Sequence, residues 1–111
     1  MIIKEIQPGP FIDWSLDGTL LSVGDILIDL EEQQQDSQAI IDICEKDGEL
    51  VIGLGDAYVA SVLIPPAKYK LTEAGVDEND NPVYESEKLP LDTEAVQLIL
   101  WQYQKSDEEV K

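Results

Sequence analysis

Ala39-Ile40-Ile41-Asp42-Ile43-Cys44-Glu45-Lys46-Asp47-Gly48 is the stretch on which the fold class turns. As a helix, Asp36 or Ser37 supplies the N-cap, Ala39, Ile40, Ile43 and Cys44 share one face, and Gly48 stands where a left-handed residue closes a helix. As a strand, Ile41 and Ile43 point inward, and Ile40 and Cys44 must be exposed or covered on the other face. The caps at both ends favour the helix.

Upstream, Asp25-Ile-Leu-Ile-Asp-Leu-Glu31 alternates apolar and polar, the mark of a half-buried strand. Phe11–Trp14 and Thr19–Val23 flank an Asp17-Gly18 turn signal, which predicts a short hairpin. Downstream, Glu49–Leu54 and Ala57–Ile64 are β-rich runs joined by Gly55-Asp56, a pair suited to a type II′ turn, and Pro65-Pro66 ends the second run. Ala67–Thr72 and Pro82–Leu89 flank the turn formers of Gly75–Asn81, a second hairpin whose polar tip projects into solvent. On it, Lys68 and Lys70 are expected across from Glu85 and Glu87. Ala95–Tyr103 fits a strand or a helix after an Asp92 cap, and its β-branched and aromatic residues favour the strand. The expected fold is α+β: mostly antiparallel sheet with hairpins and one helix, the alternative being an all-β sandwich or barrel. Residues 1–111 form one domain, with 105–111 a frayed tail.

The charge excludes whole classes of function. There are 24 acidic residues against seven lysines, with no arginine and no histidine, for a net charge of -17. Binding nucleic acid needs clustered cations to displace counterions from phosphates, and these lysines are scattered from Lys4 to Lys111. An anionic membrane surface is disfavoured for the same reason. The N-terminus has no apolar run of signal-peptide length, and the longest apolar stretch, Ala57–Ile64, is far below the roughly 20 residues of a span. With one cysteine no internal disulfide can form, so cytoplasmic residence is expected, or a virion if the chain is phage-derived.

The residues of the common chemistries are also missing. Without histidine, Cys44 has no imidazole to activate it, and its aliphatic neighbours oppose thiolate formation. Zinc lacks ligands. Asp77-Glu-Asn79-Asp-Asn81 opens like a calcium loop, but Pro82 stands where the sharp turn needs glycine and Lys88 where a bidentate glutamate belongs. Gly53-Leu-Gly55 opens like a nucleotide fingerprint, yet Tyr58 replaces its third glycine, which leaves turn chemistry. No catalytic, cofactor or metal residues are assigned.

Val23-Gly-Asp-Ile-Leu-Ile, the Gln- and Glu-rich residues after it, Ala39–Gly48 and Gly53-Leu-Gly55 resemble small phage tail and baseplate proteins. In that group a Gly-Asp-aliphatic strand precedes a helix that ends near glycine and leads to a Gly-x-Gly turn. Where the group carries proline or an aromatic residue before that turn, this chain has Val51-Ile52. The resemblance covers about residues 23–55 and implies a structural virion or prophage part without enzymatic activity. The expected function is therefore a non-enzymatic assembly or adaptor protein with a protein partner. The hairpin tip Glu78, Asn79, Asp80 and Asn81 is the expected contact, and the isolated chain should be a monomer or weak oligomer. The alternative is an acidic protein that masks a basic partner surface, as a nucleic-acid mimic or inhibitor does.

Overall fold

The computed structural model describes residues 1–104; the tail expected at 105–111 lies outside the described residues. The strands are β1 (Ile2–Glu5), β2 (Trp14–Asp17), β3 (Leu20–Val23), β4 (Ile26–Asp29), β5 (Ala39–Lys46), β6 (Glu49–Ile52), β7 (Ala57–Ile64), β8 (Tyr69–Val76), β9 (Pro82–Lys88) and β10 (Gln97–Leu100). They make a five-stranded sheet in the order β1-β10-β7-β5-β6, a three-stranded sheet β2-β3-β4, and the separate hairpin β8-β9. All pairings are antiparallel except that of β1 with β10, which joins the two ends of the described chain in parallel.

The two larger sheets share one core. Leu21, Val23 and Ile28 of the three-stranded sheet cluster with Ile43, Val59, Val62, Ile64, Leu98 and Leu100 of the five-stranded one. The strands of these two sheets send mainly alternate residues inward, with Val59 and Ala60 both buried where the β5–β7 register shifts, so two half-apolar sheets bury their faces against each other. Tight turns set the registers. Gly18 (φ +62°) opens the β2–β3 turn and Gly24 (φ +59°) the β3–β4 turn, conformations that a side chain would strain.

The fold is mostly β, and the helix expected over 36–46 is a strand. β5 lies between β6 and β7 and pairs with both, so its backbone is satisfied on two sides by partners distant in sequence or across a turn. The features read as helix caps serve other ends. Asp47 (φ +54°) and Gly48 (φ +82°) form the two left-handed positions of a type I′ hairpin turn from β5 to β6. The Asp36 carboxylate accepts a hydrogen bond from the Tyr69 hydroxyl. Three isoleucines in five positions also lose less side-chain freedom in a strand than in a helix. The helix that the phage-protein resemblance implies over this stretch is thus absent. The α-helix among the described residues is a single turn, α1 (Leu30–Gln33), capped by the Asp29 side chain on the Glu32 amide at 3.2 Å.

The expected hairpin of 49–54 with 57–64 is also replaced. β6 and β7 flank β5 on opposite sides, so residues 53–56 cross over β5 in place of forming a II′ turn. The Gly53 amide bonds Asp42 O at 2.8 Å on one side, and the Asp56 amide bonds Glu45 O at 2.7 Å on the other. A Cβ on Gly55 would lie 2.7 Å from Cys44 Cβ and 2.9 Å from Glu45 O, so only glycine fits this crossing. The strand expected within 95–103 is present as β10, preceded by a 3₁₀ turn at Thr93–Ala95 with the Asp92 side chain on the Glu94 amide at 3.1 Å.

Candidate functional site

The β8-β9 hairpin stands apart from both sheets. Every one of its strand residues is exposed. At about 3.4 Å per residue the eight residues of β8 reach about 25 Å, in a molecule with extents of 78 × 22 × 20 Å. Its strands run further than the sequence pattern implied: the loop starts at Asp77, and an irregularity between Glu73 and Val76 accommodates Gly75 (φ +112°).

The register gives the hairpin two unlike faces. One carries Tyr69, Leu71 and Glu73 from β8 with Tyr84, Ser86 and Lys88 from β9; the other carries Lys70 opposite Glu87 and Thr72 opposite Glu85. Lys70 thus meets its expected partner. Lys68 meets neither Glu85 nor Glu87, because it lies beyond the strand end, where its carbonyl accepts from the Leu89 amide at 2.8 Å. On the first face Tyr69, Leu71 and Tyr84 are all exposed, Leu71 by 72% and Tyr84 by 56%. Fully burying one such aliphatic side chain is worth about 1.5–3 kcal/mol, and a two-stranded hairpin alone is marginally stable in water. An isolated arm that leaves this stripe in solvent is incompletely stabilised by the chain itself.

Both ends of the arm are pinned. At the base, Tyr69 donates to Asp36, the Ala67 amide bonds Gln35 O at 2.8 Å, and the Leu91 amide bonds Glu31 Oε2 at 3.3 Å. The Asp36 carboxylate holds the Tyr69 phenol above its ordinary pKa, through the hydrogen bond first, then desolvation and charge. At the tip, Asp77 Oδ1 accepts from the amides of Asn79 (2.8 Å) and Asn81 (2.9 Å), and Asp80 takes a left-handed conformation at φ +63°. The carboxylate in the first position of the calcium-like pattern is therefore spent on the loop's own backbone. Glu78, Asn79, Asp80 and Asn81 come together at the outermost point of the arm. Among the described residues no three metal-ligating side chains are grouped to hold an ion.

A cleft of about 700 Å³ lies between the β3–β4 turn, the β5–β6 turn and the segment after β10. Phe11, Leu50 and Tyr103 line it with three carboxylates, Asp13, Asp25 and Glu49, all exposed to water. Cys44 is buried beneath the 53–56 crossing, which closes its thiol off from substrates. Among the described residues no helix is long and apolar enough to cross a membrane.

Two aromatic features had no local signal in the sequence. Tyr58 stacks on Trp101 with ring centroids 5.0 Å apart, and Tyr69 finds Asp36 from 33 residues away. Comparisons of the chain with protein-family models, curated proteins and solved structures gave no match.

Proposed function

We propose that the chain is a non-enzymatic assembly or adaptor protein that docks on a protein partner through the β8-β9 arm. The observation that carries this reading is the arm itself: a fully exposed hairpin with an apolar Tyr69-Leu71-Tyr84 stripe, ending in the ordered tip Glu78–Asn81. Apolar side chains held on an exposed hairpin gain free energy when a partner covers them, and hydrogen bonds at the base and tip lower the entropy lost on docking. A charge of -17 steers the chain toward a partner whose contact surface is neutral or basic and away from phosphate backbones. A multi-protein particle such as a phage tail or baseplate, assembled in the cytoplasm, is the setting that the Gly24-Asp25 strand and the Gly53-Leu-Gly55 segment favour by their resemblance.

Affinity capture from the native host tests the proposal. Wild-type protein should retain a defined protein partner, and the double variant Leu71→Ser, Tyr84→Ser should lose it while keeping the thermal stability of the domain. Equal capture by both forms would refute a role for the arm. Recovery of a nuclease or another nucleic-acid-binding protein, released by salt and indifferent to the arm variants, would favour masking of a basic surface instead.

A further inference from the structure

The side of the five-stranded sheet that faces away from the core carries a charge pattern that complements itself. Leu98, Leu100, Ala60, Val62, Ile64, Ala39 and Ile43 point into the core. Their neighbours along the strands therefore stand on the opposite face. The registers place these neighbours in rows that run straight across four strands. One row reads Ile2, Gln97, Leu63, Ile40, and the next reads Lys4, Ile99, Ser61, Asp42. Ile40 is 59% exposed and Ile2 is also exposed, while Leu63 and Ile99 are half-buried. In a chain with 24 acidic residues, these eight positions hold one acid and one lysine, at opposite ends of the same row. Asp42 is held in place by the Ser61 hydroxyl, which donates to it at 2.6 Å. Loss of charge from an otherwise charged surface is the compositional mark of an interface centre.

We infer that this face seats a second copy of the chain, packed sheet against sheet about a two-fold axis that runs along the strands between β10 and β7. That rotation turns the face over and exchanges its two sides, so β1 of one copy lies over the Ile40–Asp42 part of β5 of the other, short of the 53–56 crossing that covers Cys44. Positions along the strands are unchanged. Lys4 therefore comes over Asp42 of the second copy, and Asp42 over Lys4 of the second copy. Ile2 comes over Ile40, and Ile99 over Ser61. Each contact occurs twice, as an isologous interface requires. Two chains of charge -17 repel over most of their surface, and this row lets a pair of copies meet with opposite charges facing. Four strands about 4.8 Å apart make the contact narrow, below the roughly 800 Å² per partner of a standard interface, so the dimer is weak and concentration-dependent. None of these residues belongs to the arm, so this inference and the arm's partner can fail independently.

Sedimentation velocity over a concentration series of the full chain tests it. Wild type should show a reversible monomer–dimer equilibrium. Ile40→Asp and Lys4→Glu should each raise the dissociation constant by about tenfold or more, and Lys4→Glu combined with Asp42→Lys should bring it back to within about threefold of wild type. Thermal melts of each variant check that the monomer is folded, and Ile40 and Lys4 are exposed positions where it should be. Leu71→Asp on the arm should leave the dimer unchanged. A chain that stays monomeric up to about 500 µM, where a dimer with a dissociation constant on the order of 10 µM would be nearly complete, overturns the inference. So does a dimer indifferent to Ile40→Asp, or one lost on Leu71→Asp.

Discussion

Replacing Gly55 by alanine tests the crossing of residues 53–56 over β5, the least expected connection in the fold. The added Cβ would stand 2.7 Å from Cys44 Cβ and 2.9 Å from Glu45 O. Ordinary contact distances are nearly 1 Å longer, and Glu45 O is backbone that accepts from the Asp56 amide, so it cannot swing aside without loosening that 2.7 Å bond. Overpacking of this kind costs about 1–3 kcal/mol, and a weakened backbone hydrogen bond adds about 0.5–1.5 kcal/mol. The variant should lose about 2–4 kcal/mol, a large part of the 5–15 kcal/mol that holds a typical domain together. Urea unfolding followed by tryptophan fluorescence measures this, because Trp101 stacks on Tyr58 one residue beyond the start of β7. The midpoint should fall while the slope stays the same, since the surface exposed on unfolding does not change. Leu54→Ala in the same link serves as the control: Leu54 is 85% exposed and should cost less than about 0.5 kcal/mol. If Gly55→Ala also stays within 0.5 kcal/mol of wild type, on the order of the scatter for surface changes, the chain does not cross β5 as closely as described.

Added salt should raise the melting temperature, because screening over a Debye length of about 10 Å at 0.1 M relieves repulsion among 24 acids; a flat or falling midpoint in a sodium chloride series would contradict this. Asp77→Ala should release the amides of Asn79 and Asn81 to fast hydrogen exchange at the arm's tip while the core amides keep their protection. Ile43→Ala, at a site with no exposure in the centre of β5, should cost about 2–5 kcal/mol in chemical denaturation. The Tyr69 phenol has its folded pKa raised above 10.0 by Asp36, so its contribution is fully present below the unfolded value and is lost as pH rises through the folded one. An alkaline titration should therefore loosen the base of the arm, and Tyr69→Phe should remove that step from the ultraviolet phenolate signal.

The elements legible in the sequence are those whose pairing is local. β2 with β3 and β8 with β9 join across short turns, although β2 runs Trp14–Asp17 where the pattern places a strand at Phe11–Trp14, and β4 declares its buried side by alternation within four residues. The tip Glu78–Asn81 was found for the same reason, since turn formers mark it wherever the rest of the chain goes. β5 was misread because both states were locally consistent. Asp36 and Gly48 can cap a helix, and what excludes the helix is the presence of β7 and β6 on either side. The apolar stripe on the arm also needs the register, because Leu71 and Tyr84 share a face only once Glu73 is known to oppose Tyr84. The charge row on the outer sheet draws Lys4, Ile99, Ser61 and Asp42 from four separate strands, so no window of sequence contains it.

The parallel pairing of β1 with β10 sets an order in time. Ile2 has no ladder partner until Gln97 has been made, 95 residues later. At about 5–20 residues per second of synthesis, the first strand waits roughly 5–20 s after leaving the ribosome before its place exists. β7, β5 and β6 can assemble without it, because β1 only extends the edge of the sheet beyond β10. Docking of the N-terminal strand is thus the closing event of folding, and until then Ile2 and Ile3 are open to any passing strand edge, including that of a neighbouring nascent chain.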